Sequence, residues 1–301
     1  MPRAVILTGF GRPEVLRPAE VTIPEPGPSQ IRIAARLSGV GPTDLAIRSG
    51  ALKAFPTPPG TVLGFETAGV VESVGSHVDD VTAGDEVAAY LPGLGGYADL
   101  VLANSWVRKP GQVSWEDAAA LPASGEAAVR VLKELAVTGS DTLLILGGTG
   151  SVGTIATQIA VARGARVITA VRRQDFAAAE KLGASPVEYG PNLAAAVREI
   201  GAVDAVFDAA TGSNLAAAVH IAGGPTRVIT LSNHSAAEHG VRLSGPDPVG
   251  ATAALEEAMT RLADGGLTLR AHTTLPLADA AAATAHARLE AGERTKYLLS
   301  I

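Results

Sequence analysis

The sequence predicts an α/β protein in which a doubly wound parallel sheet follows a β-rich domain. Three observations carry that prediction. Short strand-compatible runs separated by breakers fill roughly the first third of the chain. From about residue 115, apolar strand-like runs alternate with alanine-rich helical stretches, the pattern of a parallel sheet covered by helices. A glycine-rich turn joins the first of those strands to the helix after it. With 301 residues the chain has room for two domains.

In the β-rich part the candidate strands are Ala4–Thr8, Gln30–Leu37, Glu66–Val74, Glu86–Ala89 and Ala98–Val101. Pro24-Glu25-Pro26-Gly27-Pro28 and Pro56-Thr57-Pro58-Pro59-Gly60 punctuate them. Strands this short and dense predict a small barrel-like domain. Ser114 is placed to cap a helix, with Glu116 and Asp117 in its first turn. Leu143–Leu146, Arg166–Val171, Ala205–Asp208 and Arg227–Leu231 read as parallel strands buried on both faces. The tail reads as a helix, Ala278–Gly292, then a strand, Tyr297–Ile301, able to return to the first domain. The expected division is therefore 1–113, β-rich; 114–272, doubly wound; and 273–301, the returning helix and strand.

Composition narrows the function. A chain that is 47% hydrophobic and 18% charged is globular rather than disordered or fibrous. Its net charge of −6 offers no basic footprint for nucleic acid or an anionic membrane. Cysteine is absent, which excludes disulfides, thiolate zinc sites and cysteine nucleophiles together. Met1-Pro2-Arg3-Ala4-Val5-Ile6-Leu7 reads as a strand, too short and too quickly polar for a signal peptide. No apolar run reaches membrane-spanning length, so a cytoplasmic protein is expected.

The most informative segment is Leu143-Leu144-Ile145-Leu146-Gly147 followed by Gly148-Thr149-Gly150-Ser151-Val152-Gly153. A strand leads into G-x-G-x-x-G, a helical stretch from Thr154 to Arg163 follows, and a second strand comes next. In that context Gly148 permits a tight turn, Gly150 lets the backbone approach a pyrophosphate, and Gly153 brings helix and strand close. The helix start offers free N–H groups to the anion. Gly148, Thr149, Gly150, Ser151, Val152 and Gly153 are thus expected to hold a dinucleotide. The residues ending the second strand of such a fold face the adenosine ribose, where a carboxylate favours NAD. Here the chain has Arg172 and Arg173, whose planar donor forks suit a 2′-phosphate, so NADPH is the expected cofactor. Asp175, the nearest acid, is expected to open the next helix. Thr211 and Gly212, with Ser232 and Asn233, fall at carboxyl ends of predicted strands, where ligands of open α/β sheets bind.

Several further motifs occur in order. They are Pro42-Thr43-Asp44-Leu45-Ala46-Ile47-Arg48-Ser49-Gly50, Gly64-Phe65-Glu66-Thr67-Ala68-Gly69-Val70-Val71, Val74-Gly75, Gly84-Asp85-Glu86-Val87 and Gly96-Tyr97-Ala98-Asp99. Ala118-Ala119-Ala120-Leu121-Pro122, Lys181-Leu182-Gly183-Ala184 and Val203-Asp204-Ala205-Val206-Phe207-Asp208 follow. Together they resemble the zinc-independent quinone oxidoreductase branch of the medium-chain dehydrogenase/reductase superfamily over nearly the whole chain. The resemblance implies a GroES-like β-barrel-type catalytic domain, a Rossmann domain binding NADPH, and a homodimer formed by pairing edge strands. It implies hydride transfer to a quinone or an α,β-unsaturated carbonyl, acceptors that need no Lewis acid because the charge delocalises into an enolate. Tyr189 resembles a tyrosine of the branch that lies beside the adenosine phosphate.

Zinc-dependent relatives carry a cysteine and a histidine where this chain has Gly41 and Phe65. Glu66 remains, but one carboxylate cannot hold zinc, and His77, His220, His234, His239, His272 and His286 show no ligand spacing. No metal is expected. Other branch residues are also replaced: its asparagine by Gly41, its tyrosine by Ala46 and its threonine by Ala127, while its penultimate G-K appears as Thr295-Lys296. Gly41, Thr43, Ala46, Phe65 and Tyr90 are expected at the substrate, in a pocket enlarged by the small residues. Thr43, Tyr90, Ser124 and Asn233 remain as hydrogen-bond donors, with a structural role favoured for Tyr90. Glu126 reads either as a buried proton donor or, the favoured reading, as a helix-face acid pointing to water. Asp44 reads as a cap or as a residue supporting the site from behind, in preference to an acid catalyst. The proton donor is not identified. Two alternatives stand beside the quinone or enone reductase: an enoyl reductase tailoring a bulky secondary metabolite, and a redox-inactive NADPH-binding sensor or scaffold.

Overall fold

The computed structural model describes residues 3–52, 55–276 and 280–301. Ala278, the expected start of the last helix, lies outside the described residues, as do Met1 and Pro2. The chain opens with β1 (Arg3–Leu7), β2 (Leu16–Glu20), β3 (Ile31–Val40), helix α1 (Pro42–Ser49) and β4 (Thr61–Val62). Then come β5 (Glu66–Val74), β6 (Glu86–Tyr90), β7 (Leu100–Ala103) and β8 (Ser105–Arg108). Helices α2 (Trp115–Ala120) and α3 (Pro122–Glu134) lead into β9 (Thr142–Leu146), α4 (Ser151–Ala162), β10 (Arg166–Val171), α5 (Phe176–Lys181) and β11 (Ser185–Glu188). Next are α6 (Leu193–Ile200), β12 (Ala205–Asp208), α7 (Leu215–Ile221), β13 (Val228–Thr230), β14 (Arg242–Leu243) and α8 (Ala251–Ala263). β15 (His272–Pro276), α9 (Ala281–Glu290) and β16 (Lys296–Ser300) complete the elements.

Two units result, Met1–Ala123 with Ala271–Ile301, and Ser124–Arg270. The first is organised by β3. One edge of this strand pairs with β5 along most of its length. The other edge is shared: Ile31–Ala34 pairs with β7, and Leu37–Val40 pairs with β16. Register shifts near Ile33 and Leu37 bend the strand between those partners. β5 continues to β6 and β6 to β8, and only Asn104 separates β8 from β7. The path thereby curves back to β3 as a barrel-like ring. Inside it Ile31, Ile33, Val71, Val87 and Val101 are buried together, since side chains two apart on a strand share a face. A second, three-stranded sheet runs β2-β1-β4. Ser114 caps α2 by accepting the N–H of Asp117 at 3.0 Å.

The second unit is a six-stranded parallel sheet in the order β11-β10-β9-β12-β13-β14. Strand order reverses between β9 and β12, the arrangement of a doubly wound sheet with its crevice at that point. β12 and β13 are buried along their full length, and Leu144, Ile168 and Val206 meet one core with Val197 of α6 and Leu215 of α7.

Some elements differ from expectation. The strand expected at Ala98–Val101 is Leu100–Ala103 instead; Ala98 makes a single bridge to Ala4, because Asp99 is held by Arg3 and Ala35 backbone groups. β2, β4, β8, β11, β14 and β15 are additional. β2 holds Pro18 on a sheet edge, and β11 buries only Val187 fully, so neither carries a strong periodic signal.

Candidate nucleotide-binding site

β9 ends at Leu146, and Gly147 after it, with a φ of +79°, turns the chain out of the sheet. Gly150 is the N-cap of α4 with extended backbone and no side-chain cap, and its N–H returns to Gly147 C=O at 2.9 Å. Thr154 N–H donates to Gly150 C=O at 2.8 Å, so the amides of Ser151, Val152 and Gly153 form the open first turn. A methyl group has no room here. On Gly148 it would run into the Thr169 side chain of β10; on Gly153 it would strike the backbone of Gly147 and Gly148. The bare backbone and the N–H groups of the helix start fit a pyrophosphate.

Arg172 follows β10, and Arg173–Asp175 forms a single 3-10 turn. The Arg172 Nε lies 3.3 Å from Asp175 Oδ2, and the Arg173 guanidinium sits 5.5 Å from the Phe176 ring centroid. Asp175 stands at the start of α5 as expected from the sequence, but its side chain does not cap the helix. Paired with Arg172, it is offset as a repulsive charge toward a phosphate. Arg172 keeps 47% of its side chain exposed, enough to receive one.

The C-terminal edge of the sheet gathers the remaining expected contacts. Tyr189, after β11, accepts the N–H of Asn214 on its hydroxyl at 3.3 Å, and burial raises its pKa. Ser232 Oγ donates to Ala210 C=O at 3.0 Å. Asn233 Nδ2 donates to Ser213 C=O at 2.8 Å, and Thr211 lies exposed on the same loop as Ser213. Beneath them is Asp208, fully buried, which sequence reasoning noted only within a motif.

The expected substrate residues lie in the first unit, around the start of β5. Gly41 N–H donates to Asp44 Oδ2 at 2.8 Å, so Asp44 closes the first turn of α1; Asp44 Oδ1 also accepts Gly64 N–H at 3.0 Å. Burial pushes the Asp44 carboxyl up to about 6 against the pull of those N–H groups. Gly64 brings Phe65 into place, edge-on to Phe55 with centroids 6.0 Å apart. Tyr90 is buried and pairs with Glu66 in the β5–β6 ladder. Ala46 is half-buried, while Thr43 is exposed on α1.

Three buried arrangements were not read from the sequence. Lys296 Nζ of β16 donates to Glu66 Oε1, and Ala123 N–H donates to Glu66 Oε2 at 2.9 Å. Tyr97 Oη lies 3.2 Å from His286 Nε2; burial, then the nearby Arg48, lowers His286 to about 3, so its imidazole is neutral. In the second unit Glu126 is 1% exposed, which corrects the expected water-facing acid. Both its oxygens receive the Arg130 guanidinium, at 2.7 and 3.2 Å, and Arg130 also donates to Ser244. α3 turns this face into the unit, and the i,i+4 spacing of Glu126 and Arg130 was the available signal. Ser124 is also buried. Among the described residues no three His, Cys, Asp or Glu side chains converge as a metal site, and no helix is long and apolar enough to cross a membrane.

A quinone oxidoreductase from Sus scrofa is 30% identical over 246 residues, 78% of this chain and 74% of the pig protein. The chain belongs to the quinone oxidoreductase family. Residues 27–110 match the alcohol dehydrogenase GroES-like domain, the stretch that builds most of the barrel-like ring. A mouse (Mus musculus) quinone oxidoreductase is 36% identical over 170 residues, but the match spans only 51% of that protein. The crystal structure of an Escherichia coli quinone oxidoreductase complexed with NADPH superposes with a TM-score of 0.86 at 25% identity, covering 99% of this chain and all of the other. As a member of this family, the chain falls within the medium-chain dehydrogenase/reductase superfamily expected from its motifs.

Proposed function

We propose that this quinone oxidoreductase family member is an NADPH-dependent, zinc-independent reductase of quinones or α,β-unsaturated carbonyls. The observation that carries the reading is the cradle formed by Gly147, Gly148, Gly150 and Gly153 ahead of α4, with Arg172 and Arg173 at the end of the neighbouring strand. The backbone N–H groups of Ser151–Gly153 hold the pyrophosphate, and Arg172 and Arg173 receive the 2′-phosphate. Tyr189, Thr211, Ser232 and Asn233 border the same edge of the sheet. Bound NADPH supplies the hydride. Gly41 and Ala46 leave room beside Phe65 for the acceptor, and a conjugated acceptor takes up negative charge by delocalisation, so donor groups suffice without a metal.

The same reading makes the protein a cytoplasmic homodimer. The dimer is supported by β14, whose Arg242 and Leu243 are exposed and whose outer edge carries no partner strand among the described residues.

The test is titration of the purified protein with NADPH and NADH, followed by cofactor oxidation at ~340 nm, the reduced nicotinamide band, against a panel of quinones and bulky enones. Preferential NADPH binding with turnover is the expected result. Tight NADPH binding without turnover on any acceptor would replace the reductase by a sensor or scaffold, and no binding of either cofactor would overturn both.

A further inference from the structure

Asp208, the last residue of β12, is fully buried, and its carboxylate is where the loops at the sheet edge meet. Oδ1 accepts the Ala210 N–H at 3.2 Å. Oδ2 accepts two hydroxyls, those of Ser213 and Thr230, the latter at 2.7 Å. Both hydroxyls are used again as acceptors. Thr230 Oγ1 takes the N–H groups of Ser232 and Asn233 at 3.4 and 3.1 Å, and Ser213 Oγ takes Asn233 Nδ2 at 3.1 Å. A hydroxyl has one proton to give. With their acceptor sides occupied by N–H donors, both hydroxyls must donate to Asp208, and the network therefore requires an acceptor at its centre.

The groups tied in this way border the crevice. In the ladder Asp208 stands opposite Leu146, immediately before the glycine turn, and Ala209 N–H donates to Leu146 C=O at 3.0 Å. A Cβ on Gly147 would meet the Ala210 Cα at 3.2 Å, so loop 209–214 lies against the turn itself. The same loop reaches Tyr189 through Asn214 N–H and Ser232 through Ala210 C=O. Two loops expected to border the cofactor are thus linked through one buried carboxylate, and the first of them also holds Tyr189.

We propose that Asp208 is a positioning residue for the dinucleotide, locking loops 209–214 and 231–235 into one rigid wall of the groove. This rests on the NADPH reading above. Asparagine cannot take its place: an amide NH₂ set at Oδ2 faces two hydroxyl donors, and set at Oδ1 it faces the Ala210 N–H. The wall serves the shared body of the cofactor, whereas Arg172 and Arg173 read the 2′-phosphate. Loss of Asp208 therefore weakens NADPH and NADH alike.

Asp208→Asn and Ser213→Ala, each compared with the wild type by calorimetric titration well below its own melting temperature, test this. D208N is expected to weaken both cofactors by about 10-fold, ~1.4 kcal/mol, and S213A by about 3-fold. The KM for NADPH should rise in step while kcat at saturating cofactor stays within about twofold, the pattern of lost uniform binding. Wild-type Kd values in the folded variants, with only the melting temperature lowered, would overturn the inference and leave the NADPH reading intact. If D208N does not fold, S213A decides alone. Failure of the wild type to bind either cofactor overturns both.

Discussion

Lys296 and Glu66 form an ion pair inside the first unit, with 6% and 2% of their side chains exposed, fastening the last strand, β16, to the start of β5. The second Glu66 oxygen holds the Ala123 N–H at the beginning of α3. Removing one partner leaves a buried charge without compensation. Glu66→Gln or Lys296→Met should each cost about 3–5 kcal/mol, and the double variant less than the sum, because no lone charge remains. A double-mutant cycle by urea denaturation checks this, and additive losses would contradict it.

Gly148 and Gly153 differ in what a methyl group would strike. At Gly148 the obstacle is the Cβ and Cγ2 of Thr169; at Gly153 it is the backbone of Gly147 and Gly148. Gly153→Ala is expected to destabilise by ~3 kcal/mol or more and Gly148→Ala by about 1–3 kcal/mol. Thermal melts of the two variants give the order directly. The reverse order would mean that the turn is softer than its contacts imply.

On the proposed reading Arg172 and Arg173 receive the 2′-phosphate. Replacing both by alanine should raise the Kd for NADPH by about 10- to 100-fold, the loss of one or two charge-assisted hydrogen bonds, and leave NADH nearly unchanged. Fluorescence titration with both cofactors separates this from a general loss of the groove. Equal weakening of both would remove the arginines from phosphate recognition.

Asp141 is held at about 2, first by its hydrogen bond to Arg227 at 2.6 Å and further by Thr138 against the opposing effect of burial. A carboxyl lowered in the folded state adds stability that is complete above its unfolded value near 4 and is lost as pH falls toward 2. Arg227→Gln should flatten that acid-side loss in melting curves between about pH 2 and 5. It should leave cofactor binding at neutral pH unchanged, since Arg227 and Asp141 lie at the opposite end of β13 and β9 from the glycine turn.

Local constraints were the legible part. The glycine turn is written in consecutive residues, since backbone crowding and helix start are decided within one strand–turn–helix, and the buried strands β10 and β12 announce themselves as apolar runs. Ser114 and Asp44 were readable for the same reason: a cap acts over three residues. What escaped depends on distance along the chain. Glu66 meets Lys296, and Asp208 meets Thr230, only once strands are paired. Glu126 shows both sides. Its partner Arg130 stands four residues away, but the second partner of Arg130, Ser244, lies 114 residues further on.

The shared edge of β3 has a consequence for synthesis. β16 covers Leu37–Val40, yet all of Ser124–Arg270 emerges from the ribosome between the two strands. The nucleotide-binding unit is continuous in sequence and can fold while the chain is still growing, whereas the barrel-like unit waits for its final strand with an unpaired edge. A nascent chain stalled before Lys296 is therefore a half-finished protein with one mature lobe and one aggregation-prone one.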